Sequence, residues 1–561
     1  MRPRSVEPSA DLVEVLVSVA LSVFLLACHG LFFISAGGLW RDETNSVQIA
    51  TMDRLSDIWP ELEHDSFPLP WFLFLRAWHA AGLGSADQSW RVIGLLVGLT
   101  LVCVLWLSGR LLHEDGRWRL PLVATFLIAM CPVTLQVGDS LRAYGTGMIL
   151  LIWAIVATWR YTTAPSRPRW GIMSIAFLTA VQILFYNAIG VFALGMASAV
   201  MGARRRSWKA ALAPLVAGAI SAASLIVYGD MFQRMAGWNF LVKTDMSMPL
   251  LFHSLNSALH HFAAGSVNAS APLIPLLPTF APLAIYVTAV LCAIAACVVD
   301  ARGGSARHCI SRQVTTPPAS PETTSLQDRA WFCGVALSIY VPLYLLVLWK
   351  LSYVLHPRYF LGLIAFTGIL VDMALDTRLS ATQRRVLLRA SGVAILSLMA
   401  ATAMVRVAMC RQTNVDLASR FLEANTKPSD LILISPWYLG VSFDYHFRGT
   451  SRWMTMPVMG DLSIHRYDEY VANARDPNRN NEIPAAIAKT YREGGDVWYV
   501  GSELAVDSTT NPQQNTLSGS GYGLAVAAML LEKKVSVDVV PPLASQPVQE
   551  FEDVHIFRFR K

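Results

Sequence analysis

Apolar residues in this chain come in long unbroken runs, not in the half-polar periodicities of a water-facing fold. A helix crossing the hydrocarbon core needs about 20 mostly apolar residues. Runs of that kind lie at 12–34, 91–108, 120–137, 143–159, 170–186, 188–203, 210–228, 273–299, 330–349, 358–376 and 390–409. They predict an α-helical polytopic membrane protein with about eleven transmembrane helices. One further apolar stretch, 67–83, opens with Pro68 and Pro70 and contains Arg76 and His79, so it reads as a helix lying at the interface.

From residue 411 the pattern changes. Polar sequence rich in Asp, Asn, Ser and Gly carries short β-rich runs at 431–435, 497–500, 535–539 and 555–558, alternating with helical periodicity near 414–425, 481–493 and 523–534. This predicts a C-terminal α/β domain, 411–561, after a transmembrane domain, 1–410, whose first outer loop spans 35–90. The Ser-, Thr- and Pro-rich segment 302–321 reads as a linker. Leu25-Leu26-Ala27-Cys28 resembles a lipoprotein cleavage site, but its apolar run continues to Ile34, and an uncleaved first span is expected.

Basic residues set the expected orientation. Arg110, Arg117 and Arg119; Arg160, Arg167 and Arg169; Arg204, Arg205, Arg206 and Lys209; Arg302, Arg307 and Arg312; and Arg378, Arg384, Arg385 and Arg389 mark every second connection. With Arg2 and Arg4 also inside, residues beyond 411 emerge outside the cytoplasmic membrane. The formal net charge of +6 thus reports orientation, and no basic groove interleaved with aromatics points to nucleic acid. Composition agrees: 54% hydrophobic and 15% charged residues exclude an ordinary soluble domain. The eight Cys lie mostly in or beside apolar stretches without metal-type spacing and read as packed residues.

Charge is kept out of most span interiors. Residues 92–108, 120–137, 145–159, 171–200, 273–299 and 331–349 contain no Asp, Glu, Lys, Arg or His. Glu14, His29, Asp372 and Arg406 lie within about two turns of a span end. An ion-coupled transporter needs an ionisable relay near the midplane. A transporter or flippase of polyprenyl-linked glycans is one alternative reading, and a non-enzymatic membrane scaffold is another.

On the outer edge, polar residues recur in four places: Arg41, Asp42 and Glu43; His64 and Asp65; Asp139, Arg142 and Tyr144; and Lys350, Tyr353, His356, Arg358 and Tyr359. Together they can line one outward-facing cavity. Carboxylates beside cations at a membrane surface suit transfer of a group from a polyprenyl phosphate. The cations stabilise the leaving phosphate while a carboxylate accepts the proton of the attacking hydroxyl. Asp42 can be that base, and Arg142 and Arg358 can hold phosphate. Each residue also has a structural reading: Asp42 as a cap or partner of Arg41, the arginines as snorkelling anchors, His64-Asp65 as a loop pair, and the tyrosines as belt residues. The Gly-rich segment 519–523 lacks the spacing of a dinucleotide fingerprint, and His253, His260 and His261 lack a matching carboxylate pattern, so no metal site is predicted.

The ordered set Trp40-Arg41-Asp42-Glu43, His64-Asp65-Ser66-Phe67-Pro68-Leu69-Pro70-Trp71, Trp90-Arg91, Ser140-Leu141-Arg142-Ala143-Tyr144 and Arg358-Tyr359-Phe360 resembles the GT-C glycosyltransferases. Nearest are bacterial mannosyltransferase-like and aminoarabinose-transferase-like enzymes that use polyprenyl-phosphate sugars. The resemblance covers about the first 380 residues. It implies Asp42 as catalytic base with Glu43 beside it, and Arg142, Tyr144 and Arg358 on the donor phosphate. Lys350 joins that phosphate set by position, and His64, Asp65, His356 and Tyr359 are the candidate substrate contacts. The expected partners are a polyprenyl-phosphate-linked sugar, membrane lipid and a lipid, glycan or protein acceptor, at a bacterial inner membrane. No cofactor is required, and a divalent metal stays open because the family includes enzymes with and without one.

Overall fold

The computed structural model describes residues 9–112, 118–260, 283–284, 286–295, 297–298, 321–379, 382–474, 482–501, 536–549 and 552–561. Among the described residues, eight helices are long and apolar enough to cross a membrane: Ala10–Ser35, Asp87–Leu112, Ala143–Thr163, Asn187–Arg204, Trp208–Met235, Gln327–Leu351, Pro357–Asp376 and Gln383–Ala408. The chain is a multi-pass membrane protein. Three expected spans differ. The 120–137 run is split into Leu122–Ile128 and Pro132–Gly138, because Pro132 has no N–H for the helical ladder and leaves Cys131 extended. The 170–186 run forms a helix of 17 residues, Arg167–Ile183. Of 273–299 the described part includes an apolar helix, Tyr286–Ala295, and the rest lies outside the described residues.

At one end of the bundle, buried ions tie the helices together. Arg389 bonds Asp376 at 2.5 Å and Glu14 at 2.6 Å, joining helices Ser9–Ser35, Leu361–Leu379 and Gln383–Ala408. Such charges persist in an apolar bundle only when paired.

The 67–83 stretch forms a short helix, Leu69–Ala80, started by Pro68 and Pro70 and burying Trp71, Phe72 and Leu75. Its Arg76 donates to the carbonyls of Ala50, Met52 and Asp53, satisfying the open C-terminal end of helix Arg41–Ala50.

The C-terminal unit is a five-stranded sheet of β1 (Leu431–Ser435), β2 (Arg452–Thr455), β3 (Val497–Gly501), β4 (Ser536–Val539) and β5 (His555–Arg560). Their order is β2-β1-β3-β5-β4. The β1 strand runs parallel to β2 and β3, while β5 runs antiparallel to β3 and β4. Period-two alternation explains the layers: Ile432 and Ile434 face Val415, Leu422, Leu439 and Phe443, while Leu431 and Leu433 face Ile483 and Ile487. Both central strands, β1 and β3, are buried throughout because helices cover both faces. The helix expected at 523–534 and the Gly-rich 519–523 lie outside the described residues.

This unit grips the segment that follows the first long helix. His446 Nε2 lies 3.0 Å from the Leu39 carbonyl, Arg41 N–H donates to Glu552 at 2.9 Å, and His465 N–H donates to Asn45 Oδ1 at 2.8 Å.

Candidate active site

The site starts at the turn between the first long helix and helix Arg41–Ala50. Gly37 has φ +74, and a Cβ there would lie 2.4 Å from the Arg411 guanidinium, so only glycine fits. Trp40 is extended, and the Glu43 side chain reaches back to its N–H, which fixes the helix start and aims Arg41 and Asp42 outward from the first turn.

Glu43 does not reach the cavity, which corrects its expected place as half of a catalytic pair. It is fully buried, pairs with Arg91 at 2.9 Å and accepts from the Leu141 N–H at 2.7 Å. Arg91 also donates to the carbonyls of Gly37 and Gly38. Successive residues on a helix point about a quarter-turn or more apart, so the two acids take opposite tasks: Glu43 braces two loops, and Asp42 faces the cavity.

Asp42 and Arg358 meet at 2.8 Å, with Arg41 at 3.5 Å from the other carboxylate oxygen. Burial alone would raise the Asp42 pKa, but Arg358, Arg142 and Arg41 outweigh it and hold the carboxyl well below the usual range. Arg142 caps helix Ala143–Thr163 and donates to the Asp42 carbonyl at 2.7 Å, to Ser46 Oγ at 2.8 Å and to Asp65. Its guanidinium lies 4.6 Å from the Phe67 ring centroid. Asp65 also accepts from Ser46 Oγ at 2.5 Å, and burial leaves its pKa raised despite Arg142. The 139–142 turn approaches helix Asp87–Leu112 closely enough that a Cβ on Gly94 would lie 1.8 Å from the Asp139 carbonyl.

These groups open onto a cavity of about 400 Å³. Arg41, Asp42, His64, Asp65, Arg142, Tyr144, His356, Arg358 and Tyr359 line its polar part, and Leu184, Phe185, Phe232, Met235, Val242 and Leu351 its apolar part. A smaller recess of about 50 Å³ adjoins the same arginines and is lined also by Gln136, Gln412 and Gln549. Among the cavity-lining residues, buried nitrogens without a protein partner include Arg41 Nη1, Arg142 Nε, Arg358 Nε, His64 Nδ1, Trp238 Nε1 and His465 Nε2. Three guanidiniums with unused donors suit an anion. Burial lowers His64 to about 4 and His356 to about 3, so both imidazoles are neutral at pH 7.

The structure therefore brings Asp42, Arg142, Tyr144, Arg358, His64, Asp65, His356 and Tyr359 together. Lys350 is not brought in: it is exposed, its ammonium 4.7 Å from the Trp349 ring centroid and outside the cavity lining. Asp139 lines neither cavity and instead bonds His29 Nδ1 at 2.6 Å. Among the described residues no group of three or more His, Cys, Asp and Glu side chains is placed to hold a metal ion. Sequence reasoning missed Tyr438, His465 and Tyr467, which reach the cavity from the C-terminal unit. Only the density of aromatic and polar residues in 464–468 marked His465 and Tyr467, and nothing local marked Tyr438.

No protein-family model matches the sequence, and no curated protein is detectably similar to it. Among solved structures, the chain is similar to a crystal structure of ArnT from Cupriavidus metallidurans bound to undecaprenyl phosphate. The identity is 12%, the alignment covers 96% of this chain and 97% of that one, and the TM-score is 0.45.

Proposed function

We propose that this protein is an integral membrane glycosyltransferase of the GT-C type. It transfers a monosaccharide from a polyprenyl-phosphate donor to a hydroxyl of a lipid, glycan or protein acceptor at the outer face of a bacterial cytoplasmic membrane. The observation that carries the reading is the cavity itself. Asp42, Arg142 and Arg358, distant in sequence, line one space that also has an apolar part, with Leu184, Phe185, Phe232, Met235, Val242 and Leu351. A charged headgroup on a hydrophobic chain is the ligand that such a divided lining accommodates.

In this reading the donor phosphate takes the free guanidinium donors of Arg41, Arg142 and Arg358, and the apolar wall takes the first isoprene units. The acceptor hydroxyl attacks the anomeric carbon and its proton passes to Asp42. The new carbon–oxygen bond forms as the bond to the phosphate oxygen breaks, and that electron pair leaves with the polyprenyl phosphate. The arginines stabilise the charge that develops there. One displacement by one hydroxyl inverts the anomeric centre. The C-terminal domain, outside the membrane, and the outer loop from residue 229 grip the acceptor.

The test is transfer from a panel of labelled polyprenyl-phosphate sugars in membranes, comparing wild type with Asp42→Asn. Loss of transfer at retained protein level supports the reading. Unchanged turnover removes it, and glycan translocation that survives Asp42→Asn favours a flippase.

A further inference from the structure

All formal charge lining the large cavity comes from the membrane part of the chain. Arg41, Arg142 and Arg358 outnumber Asp42 and Asp65 by one charge. The side contributed by the C-terminal unit is Tyr438, His465 and Tyr467.

His465 is the unusual member. It is 4% exposed and its backbone N–H is fixed by Asn45 Oδ1 at 2.8 Å, on the helix that carries Asp42. Its ring is held edge-on against Trp437 at 6.5 Å and Tyr467 at 5.7 Å. Yet its Nε2 is buried with no hydrogen-bond partner in the protein. A buried polar atom left unmatched is costly, and in a ring so firmly held it marks a bond completed by something that enters. Asp42, Arg41, Arg142 and His64 are the charged and titratable groups that act on it; burial dominates and lowers its pKa to about 3. The imidazole is therefore a neutral donor or acceptor at physiological pH.

An anion entering this space is drawn to the guanidiniums, and a cation to the carboxylates. A neutral imidazole, with one nitrogen that donates and one that accepts, matches a group that does both, which is a hydroxyl. We propose that His465 is the acceptor-binding residue of the cavity. In the tautomer carrying its proton on Nε2, it donates to the oxygen of the attacking hydroxyl and leaves that hydroxyl's own proton directed at Asp42. The ligand class on this side is a neutral, hydroxyl-bearing ring. This assignment rests on the transferase reading, and it makes the C-terminal unit a working part of the site.

The test uses the full chain in lipid nanodiscs with two probes: methyl α-D-mannopyranoside by ligand-observed NMR for the acceptor side, and decaprenyl phosphate by titration for the donor side. His465→Phe keeps the aromatic ring and removes the nitrogen; His465→Gln restores a neutral N–H. His465→Phe is expected to weaken glycoside binding about tenfold or more while decaprenyl phosphate affinity stays within about twofold, and His465→Gln to stay within about threefold of wild type. In a transfer assay the Phe variant raises the acceptor KM, and its pH profile keeps the wild-type shape. Equal glycoside binding in wild type and the Phe variant, a parallel loss of decaprenyl phosphate affinity, or a Gln variant as weak as the Phe variant overturns the assignment. Wild type that binds decaprenyl phosphate but no glycoside removes the acceptor site and leaves the transferase reading standing. Wild type that binds the glycoside alone does the reverse.

Discussion

Arg358 Nη1 donates to Asp42 Oδ2 at 2.8 Å across 316 residues of sequence. The bond keeps the proposed base ionised but also weakens it, because a carboxylate held by a guanidinium gives up stabilisation when it takes a proton. A phosphate competes for the same donors, so donor binding frees and strengthens Asp42. Donor is therefore expected to bind before acceptor. Initial rates with both substrates varied should give the pattern of ordered addition, donor first; acceptor-first addition would contradict the coupling.

Asp42→Asn removes the proton acceptor while keeping shape. Transfer should fall by about 10²–10⁴, the range for loss of a positioned general base, with protein level and donor-lipid affinity retained. A variant within tenfold of wild type in kcat would take Asp42 out of the chemistry.

Glu43→Gln tests the bracing role of the neighbouring acid. Arg91 has a side chain 2% exposed and would lose its charge partner in the core, a loss of about 3 kcal/mol by analogy with other buried pairs. Thermal unfolding should shift down, and lost activity should follow lost folded protein. Full stability with abolished kcat would return Glu43 to the catalytic set.

Glu552 is 1% exposed, and burial raises its pKa from 4.5 to about 7 against the pull of Arg41. The folded form binds the proton more tightly than the unfolded form. Its stabilising contribution is therefore full below about pH 4.5 and is lost as pH rises through about 7, amounting to about 3 kcal/mol. Wild-type thermal stability should decline between pH 5 and pH 8 more steeply than that of Glu552→Gln, as read by scanning both across that window. Parallel curves would show that the carboxyl does not carry the dependence.

Lys350→Ala, which alters an exposed ammonium over Trp349, should change donor affinity by less than about twofold. A tenfold loss of affinity would bring Lys350 into the phosphate site.

Long apolar runs were legible because a lipid-spanning helix has no competing pattern, and the boundaries of β1 follow from a short β-rich run flanked by turn residues. The 120–137 run misled because apolarity reports burial, while the Cys131–Pro132 break is set by a single missing N–H. The loop residues Asp42, Arg142 and Arg358 stood out as charges stranded at span ends. Glu43 looked equivalent to Asp42 because adjacency in sequence hides the rotation between successive helical residues, and its partner Arg91 lies 48 residues away. His465 was hidden for a different reason. It reaches the cavity through the packing of helix Leu439–His446 and its neighbours on the segment after the first long helix, which no local periodicity records.

The amide of Arg41 is held by Glu552, 511 residues later. A ribosome must therefore thread every long helix into the bilayer and go on translating before that clasp can close. Until then the arginine row lacks one of its anchors, so a nascent chain stalled in the membrane sits idle beside its lipid, and truncation just ahead of Glu552 should leave an inserted protein that is inert.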